Sequence, residues 1–107
     1  MASKLHLREN PTLADYQQYV RELVAERGFA DNVSQRFTLL LEELGELAKA
    51  ARKEAGMKFA ADTQRADVEE EAADVFIVFV GLCNLLEINL EAAFRAKEAK
   101  NKQRIWK

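Results

Sequence analysis

The feature that most constrains the fold is a run of apolar residues from Val75 to Leu86, broken only by Gly81 and Asn84. A helix over this run would be hydrophobic on nearly every side, and such a helix has to be buried. The run is too short to cross a bilayer, so it predicts a core helix. Three other short helices in a chain of 107 residues can hardly cover it. We therefore expect a homodimer at least, with this helix at its centre, or a homotetramer.

Periodic apolar positions and capping residues predict helices along the rest of the chain. One proline and four glycines are too few for a sandwich of short strands, and the dominant residues Ala, Glu, Leu, Lys and Arg favour helix. The sequence thus predicts an all-α fold, a four-helix chain that forms an oligomeric helical bundle. We expect one domain over residues 1–107, with residues 1–11 as an N-terminal tail. The predicted helices run from the Thr12 cap to Arg27 before Gly28, from Asp31 or Asn32 to Gly56, from Asp62–Arg65 to Glu87, and from the Asn89 cap to Arg104.

Charge and cysteine content exclude several classes of function. The chain has 18 acidic and 16 basic residues and a net charge of -2, which suggests neither a nucleic-acid-binding surface nor a polybasic membrane anchor. The single cysteine, Cys83, cannot form an internal disulfide, which fits a reducing compartment. Residues 1–7 contain no apolar stretch long enough for a signal peptide. These observations together predict a cytoplasmic location.

Two pairs of carboxylates, Glu43 with Glu46 and Glu71 with Asp74, are each spaced three residues apart. Residues three apart are neighbours on a helix, so these like charges repel unless a cation lies between them. At roughly 100° per residue, Glu71 lies within about 40° of Val75, so it points toward the apolar face of its own helix. Carboxylates that face a core are costly unless they are paired or bind a metal. The pattern therefore predicts a Mg²⁺ site made by two packed helices.

A simpler explanation is that these acids are solvated surface residues. Acidic residues near the start of a helix also favour its dipole, and Glu69, Glu70 and Glu71 fall in the first half of the third helix. Two matched pairs on positions that face the core nevertheless favour the metal site.

Other catalytic chemistries lack the residues that they need. The only histidine is His6, near the N-terminus, so the Glu-x-x-His pairs of di-iron bundles and a structural zinc site are both excluded. No Gly-rich phosphate loop is present. Cys83, within the apolar run, is interpreted as a small core residue.

At this point the residues resemble a known family. Glu42-Glu43-x-x-Glu46, followed after 24 residues by Glu71-x-x-Asp74, is similar to the signature of the MazG-like all-α nucleoside triphosphate pyrophosphatases, including the deoxycytidine triphosphate pyrophosphatases. The basic tail Lys97-x-x-Lys100-Asn101-x-x-Arg104 is also similar to the end of these proteins. The resemblance covers roughly residues 16–106. It departs from the deoxycytidine branch where Val78 and Lys53 stand in place of aromatic residues, so the resemblance does not predict the base.

The resemblance implies a Mg-dependent nucleoside triphosphate pyrophosphohydrolase, with Mn²⁺ as a possible substitute for Mg²⁺. Such an enzyme releases a monophosphate and pyrophosphate from ribo- or deoxynucleoside triphosphates and clears the nucleotide pool of unwanted members. The implied metal ligands are Glu43, Glu46, Glu71 and Asp74, and Glu42 or Glu46 would orient the attacking water. Relatives assemble as dimers or tetramers with sites near subunit interfaces.

Several further residues are candidates for contact with the substrate. Lys97, Lys100, Asn101 and Arg104 fall largely on one helical face, and we expect some of them to contact the triphosphate in the same or a neighbouring subunit. A solvated C-terminal charge run explains the same pattern equally well. Lys53 lies near Glu46 on its helix, and Phe29 matches a position where relatives carry an aromatic residue near the base. Further candidates, each with a weaker argument, are Arg52, Lys58, Phe59 and Trp106.

Two readings of a different class compete with the enzyme. A noncatalytic helical interaction module would keep the bundle and tolerate neutralisation of all four acids. A structural coiled coil would need sustained heptads, which the interruptions at Gly28, Gly56 and Asn89 argue against.

Overall fold

The computed structural model describes residues 3–29, 32–55 and 65–104, apart from the side chains of residues 65 and 66. These residues form the helices α1 (Leu13–Arg27), α2 (Val33–Glu54), α3 (Arg65–Leu85) and α4 (Leu90–Lys102), and no strand is found among them. The prediction of an all-α, four-helix chain is therefore confirmed. Gly56, Lys58, Phe59, Trp106 and the residues before Arg65 where the third helix was expected to begin lie outside the described residues, as does Asp31.

Local sequence sets the ends of α1. Thr12 caps its start, because its hydroxyl accepts a hydrogen bond from the Asp15 backbone N–H while the Asp15 carboxylate accepts one from the Thr12 N–H, a reciprocal capping box. Gly28 ends the helix in the left-handed conformation, at φ 69°. Its lack of a side chain makes that conformation inexpensive.

The other helix ends differ by a few residues from those predicted. Asn32 caps α2 and Asn89 caps α4, each by accepting a backbone hydrogen bond on its side-chain oxygen. α2 ends at Glu54, α3 at Leu85 rather than Glu87, and α4 at Lys102 rather than Arg104. α3 stops early because the Ile88 N–H donates back to the Cys83 carbonyl, at 2.9 Å, which closes a helix-ending turn.

The core lies where α1 packs on α3. Val20, Leu23 and Val80 are its buried centre, and Leu5 from the N-terminal segment packs against them. The most extensive helix contact joins α2 to α3, while α4 packs mainly on α1. Not all of the apolar run is covered within one chain: Phe76 is 36% and Phe79 41% exposed.

A buried amide fixes the corner between α3 and α4. Gln17 on α1 is 7% exposed, and its Nε2 donates to Asn84 Oδ1 at 3.0 Å and to the Ile88 carbonyl at 2.8 Å. Its Oε1 accepts the Leu90 N–H at 3.0 Å, and Asn84 Nδ2 donates to the Gln17 carbonyl at 3.0 Å. All of these polar groups are thereby satisfied, and α4 leaves α3 at 93°.

None of the described helices is by itself long and apolar enough to cross a membrane. Only α3 and α4 taken together reach that length and composition, as a pair bent by 93°.

Candidate active site

The contact between α2 and α3 brings the predicted carboxylates together. Glu43 from α2 and Glu71 and Asp74 from α3 each offer a carboxylate oxygen, and these oxygens all lie within 4.8 Å of one another. We call these three residues the carboxylate cluster. Glu43 and Glu71 are half-buried and Asp74 is exposed. The cluster thus lies at a helix–helix seam with one side open.

Like charge and desolvation act on these carboxylates in the same direction. Partial burial raises the pKa of Glu43, and the neighbouring charges of Asp74 and Glu71 raise it further. The pKa of Glu71 is also raised, first by burial and then by Asp74 and Glu46. The fold therefore holds negative charge at this seam at a cost in free energy, which a bound cation would remove.

The donor set fits a hard divalent cation. Two ligands of one octahedral Mg²⁺ lie about 3–4 Å apart, so the oxygens of the carboxylate cluster need only small side-chain rotations to share one ion. Three carboxylates leave several coordination positions for water or phosphate oxygen. The carboxylate cluster can therefore hold a divalent metal.

The two other predicted acids occupy different places. Glu46 does not belong to the three-residue cluster but lies beside Glu71, where both line a small notch of about 160 Å³ with Lys49, Ala50, Lys53 and Asp67. We call this the lysine notch. Glu42, like Glu46, is exposed on α2, and its charge adds to the raised pKa of Glu43.

Two lysines place positive charge at one end of the carboxylate cluster. Lys53, which the sequence predicts, lines the lysine notch together with Lys49, which sequence reasoning missed. Lys49 follows Glu46 by three residues, and that spacing was the signal that could have identified it.

The basic residues of the tail are remote from the carboxylate cluster within one chain. Lys97, Lys100 and Asn101 lie on α4, and Arg104 lies just beyond it. Eleven residues of α3, about 16 Å of helix, separate Asp74 from the end of α3, and α4 then departs at 93°. One chain alone therefore does not bring this basic face to the carboxylates.

A larger cleft lies farther along α2 and α3. It has a volume of about 510 Å³ and is bounded by α1, the start of α2 and the second half of α3. We call it the Arg36 cleft. Phe29, which the sequence predicts to lie near the base, is on its wall and is 50% exposed. Sequence reasoning missed the other polar members of the wall, which are Arg21, Arg36 and Asn84.

Comparison with known proteins decides the family. The family model for phosphoribosyl-ATP pyrophosphohydrolase matches residues 10–101. The chain belongs to this family. The phosphoribosyl-ATP pyrophosphohydrolase family includes α-helical enzymes of the MazG type, so the resemblance inferred from the carboxylate motifs is confirmed. Membership makes the chain a pyrophosphohydrolase by class, acting on a nucleotide.

Solved structures agree with this family assignment. YPJD from Bacillus subtilis, assigned as a pyrophosphatase, is 30% identical, with a TM-score of 0.76 over 92% of this chain and 100% of that one. iMazG from Vibrio DAT 722 is also 30% identical, with a TM-score of 0.66 over 85% of this chain and 98% of that one. No curated protein matches the chain.

Proposed function

We propose that this chain is a metal-dependent nucleoside triphosphate pyrophosphohydrolase that acts on ribo- or deoxynucleoside triphosphates. The observation that carries the proposal is the convergence of Glu43, Glu71 and Asp74, whose oxygens lie within 4.8 Å of one another on the α2–α3 seam. Within a pyrophosphohydrolase family, such a cluster is best explained as the site that holds the metal and the triphosphate. Mg²⁺ is the expected ion, with Mn²⁺ as a substitute.

In this proposal the residues of the carboxylate cluster and the lysine notch have distinct roles. Glu43, Glu71 and Asp74 hold the ion, and Glu46 adds a fourth carboxylate beside Glu71. A divalent ion bound there would neutralise phosphate charge and lower the pKa of a bound water. Lys53 and Lys49, in the lysine notch, neutralise the pyrophosphate that departs.

The proposed reaction is a hydrolysis at the α-phosphorus. A water oxygen attacks that atom, and the bond to the bridging oxygen breaks with its electron pair leaving on pyrophosphate. Glu46 is proposed to accept the proton of this water in preference to Glu42, because Glu46 lines the lysine notch beside Glu71, although both carboxylates are exposed on α2. Phe29 is proposed to stack on the base, since it lies on the wall of the Arg36 cleft.

Assembly is part of the same proposal. An exposed stripe on α2 consists of Phe37, Leu41 and Leu44, which are 48%, 69% and 43% exposed and lie on one helical face. Large apolar side chains grouped in this way mark an interaction surface. We propose a homodimer or homotetramer in which this stripe is covered and a neighbouring subunit brings its Lys97, Lys100, Asn101 and Arg104 to the phosphates. A cytoplasmic location and a role in clearing unwanted nucleotides belong to this proposal.

The experiment is a substrate panel with identified products. The protein is incubated with ribo- and deoxynucleoside triphosphates and with phosphoribosyl-ATP, the compound named in the family description, in Mg²⁺ and in EDTA. We expect Mg²⁺-dependent release of monophosphate and pyrophosphate in equal amounts. Release of inorganic phosphate and a diphosphate would overturn the proposed reaction, and a folded oligomer that turns over no nucleotide would favour the noncatalytic interaction module.

A further inference from the structure

The Arg36 cleft and the carboxylate cluster both lie at the seam between α2 and α3. α2 and α3 pack with a constant antiparallel register, because Glu43 meets Asp74 and, seven residues away on each helix, Arg36 meets Gly81. Seven residues are close to two full turns, so Arg36 and Glu43 face the same way, about 10 Å apart along α2. In the proposed complex a ribose would lie between a phosphate at the carboxylates and a base beside Arg36.

Gly81 makes the position of the Arg36 guanidinium possible. A Cβ at residue 81 would lie 2.5 Å from Arg36 Nη1, so any side chain there would displace the tip of the arginine. Arg36 is only 6% exposed, although it lines the cleft. A guanidinium is costly to bury, yet its five N–H donors allow it to keep a partner within the fold and still donate to a ligand.

The side chains of the cleft wall offer more donors than acceptors. Its charged side chains are the cations Arg21 and Arg36, and no acidic side chain lines it among the described residues. The one side-chain amide, Asn84, already accepts on Oδ1 from Gln17 at 3.0 Å and from Arg21 at 3.3 Å. A ligand that presents acceptors therefore fits this wall better than one that presents an amino group.

We propose that Arg36, held over Gly81, determines base specificity and selects 6-oxopurines over adenine. O6 and N7 of guanine or hypoxanthine are adjacent acceptors that match two guanidinium donors. Adenine instead has an amino group at position 6, and this donor would face a donor of the guanidinium. This assignment rests on the proposed nucleotide hydrolysis and names the base that the site takes.

Inosine triphosphate and adenosine triphosphate form a matched pair, because position 6 of the base carries a carbonyl group in the first and an amino group in the second. We expect kcat/KM for the inosine nucleotide to exceed that for the adenosine nucleotide by about tenfold or more, the range of one bidentate contact. Calorimetric binding of inosine and adenosine monophosphates should show the same order without any turnover.

Two variants separate recognition by Arg36 from a structural role. Arg36→Met removes the donors, and Gly81→Ala keeps the charge but displaces the guanidinium. Either variant should bring the ratio of the two kcat/KM values to within about twofold of one, chiefly through a loss of activity on the inosine nucleotide. Should Arg36→Met fail to fold, Gly81→Ala gives the same test with the arginine intact.

The possible failures are distinguishable. Equal kcat/KM values for the two nucleotides in the wild-type protein would overturn the role of Arg36 while leaving the proposed hydrolysis intact. A preference that persists in both folded variants would do the same. Absence of turnover on every nucleotide of the panel would contradict the proposed function, and equal binding of the two monophosphates would then refute the base selection separately.

Discussion

At the scale of single residues, Glu43, Glu71 and Asp74 differ from the other acids of their helices in having one another as neighbours. Burial and mutual repulsion raise the pKa of both Glu43 and Glu71. In the absence of a metal, each of them destabilises the fold while it is ionised, because the unfolded chain spreads these charges apart. The metal-free protein is therefore less stable than it would be without this repulsion, and the difference in stability can be measured.

Neutralising one of these acids should raise the stability of the metal-free protein. We expect Glu71→Gln to raise the melting temperature of the metal-free protein slightly and to abolish its further rise on addition of Mg²⁺. Thermal unfolding followed by circular dichroism, with and without Mg²⁺, measures both effects. Glu69→Gln, on an exposed residue on the other side of α3, is the matched control and should retain the Mg²⁺ response.

The pH dependence follows from the direction of the two pKa shifts. Because the folded-state values lie above the ordinary 4.5, folding favours the protonated acids, and the stability of the metal-free protein should fall as pH rises through the window above 4.5. Metal affinity should move the opposite way and strengthen, since the ligands must lose their protons. Calorimetric titration with Mn²⁺ between about pH 5 and about pH 7 tests this, and an affinity that is flat over that range would refute it.

The sequence predicted part of this site because helical spacing determines which residues share a face. That argument identified Glu43, Glu71 and Asp74, which do meet. It did not separate Glu46 from them, because spacing gives the direction in which a side chain points but not the position of its carboxylate. Arg36 was missed since its position matters only once the register between α2 and α3 is known, whereas the spacing from Glu46 could have identified Lys49.

At the scale of the helices, capping residues explain why most boundaries were predictable. Thr12, Asn32 and Asn89 each accept the hydrogen bond that a helix start requires. The end of α3 was not predictable in this way, because Glu87 occupies its left-handed position, at φ 57°, where glycine is usual. A tertiary contact, the Gln17 amide, holds that corner in place of a local signal.

This interpretation makes Gln17 a strong test of the corner. Gln17→Ala would leave the Leu90 N–H and the Ile88 carbonyl without their buried partner. Each unsatisfied group costs about 1–3 kcal/mol, so we expect the free energy of unfolding to fall by about 2–4 kcal/mol. Urea denaturation measures the change. The control is Gln18→Ala, at the exposed neighbouring position. A loss of less than about 1 kcal/mol in Gln17→Ala would show that contacts other than the Gln17 amide stabilise the corner between α3 and α4.

At the scale of the whole molecule, the chain has more apolar surface than one copy can cover. Phe76 and Phe79 on α3, together with the α2 stripe, remain exposed in the single chain. The sequence indicated this excess through the apolar run of α3. It could not indicate that α4 would turn away at 93° and carry the basic residues far from the carboxylates of the same chain.

The assembly can be tested through Leu41, the most exposed of the large apolar residues that the structure describes. Leu41 is 69% exposed, and we expect wild-type protein to sediment at two or four times the chain mass of 12.2 kDa. Leu41→Glu should shift that mass toward one chain, because it places a charge in the proposed interface. Ala14→Glu, at an exposed position on α1, should leave the mass unchanged. Wild-type protein that sediments as a single chain would contradict the proposed assembly.

The central claim is that the carboxylate cluster holds the metal that supports hydrolysis, and one measurement tests it most directly. Pyrophosphate release is followed as a function of Mg²⁺ concentration in the wild-type protein, Glu71→Gln and the Glu69→Gln control. Removing one ligand of the ion should lower the rate at least a hundredfold, while the control retains the wild-type rate and Mg²⁺ dependence. If Glu71→Gln remains folded and hydrolyses nucleotide at the wild-type rate with unchanged Mg²⁺ dependence, the reaction does not take place at the carboxylate cluster.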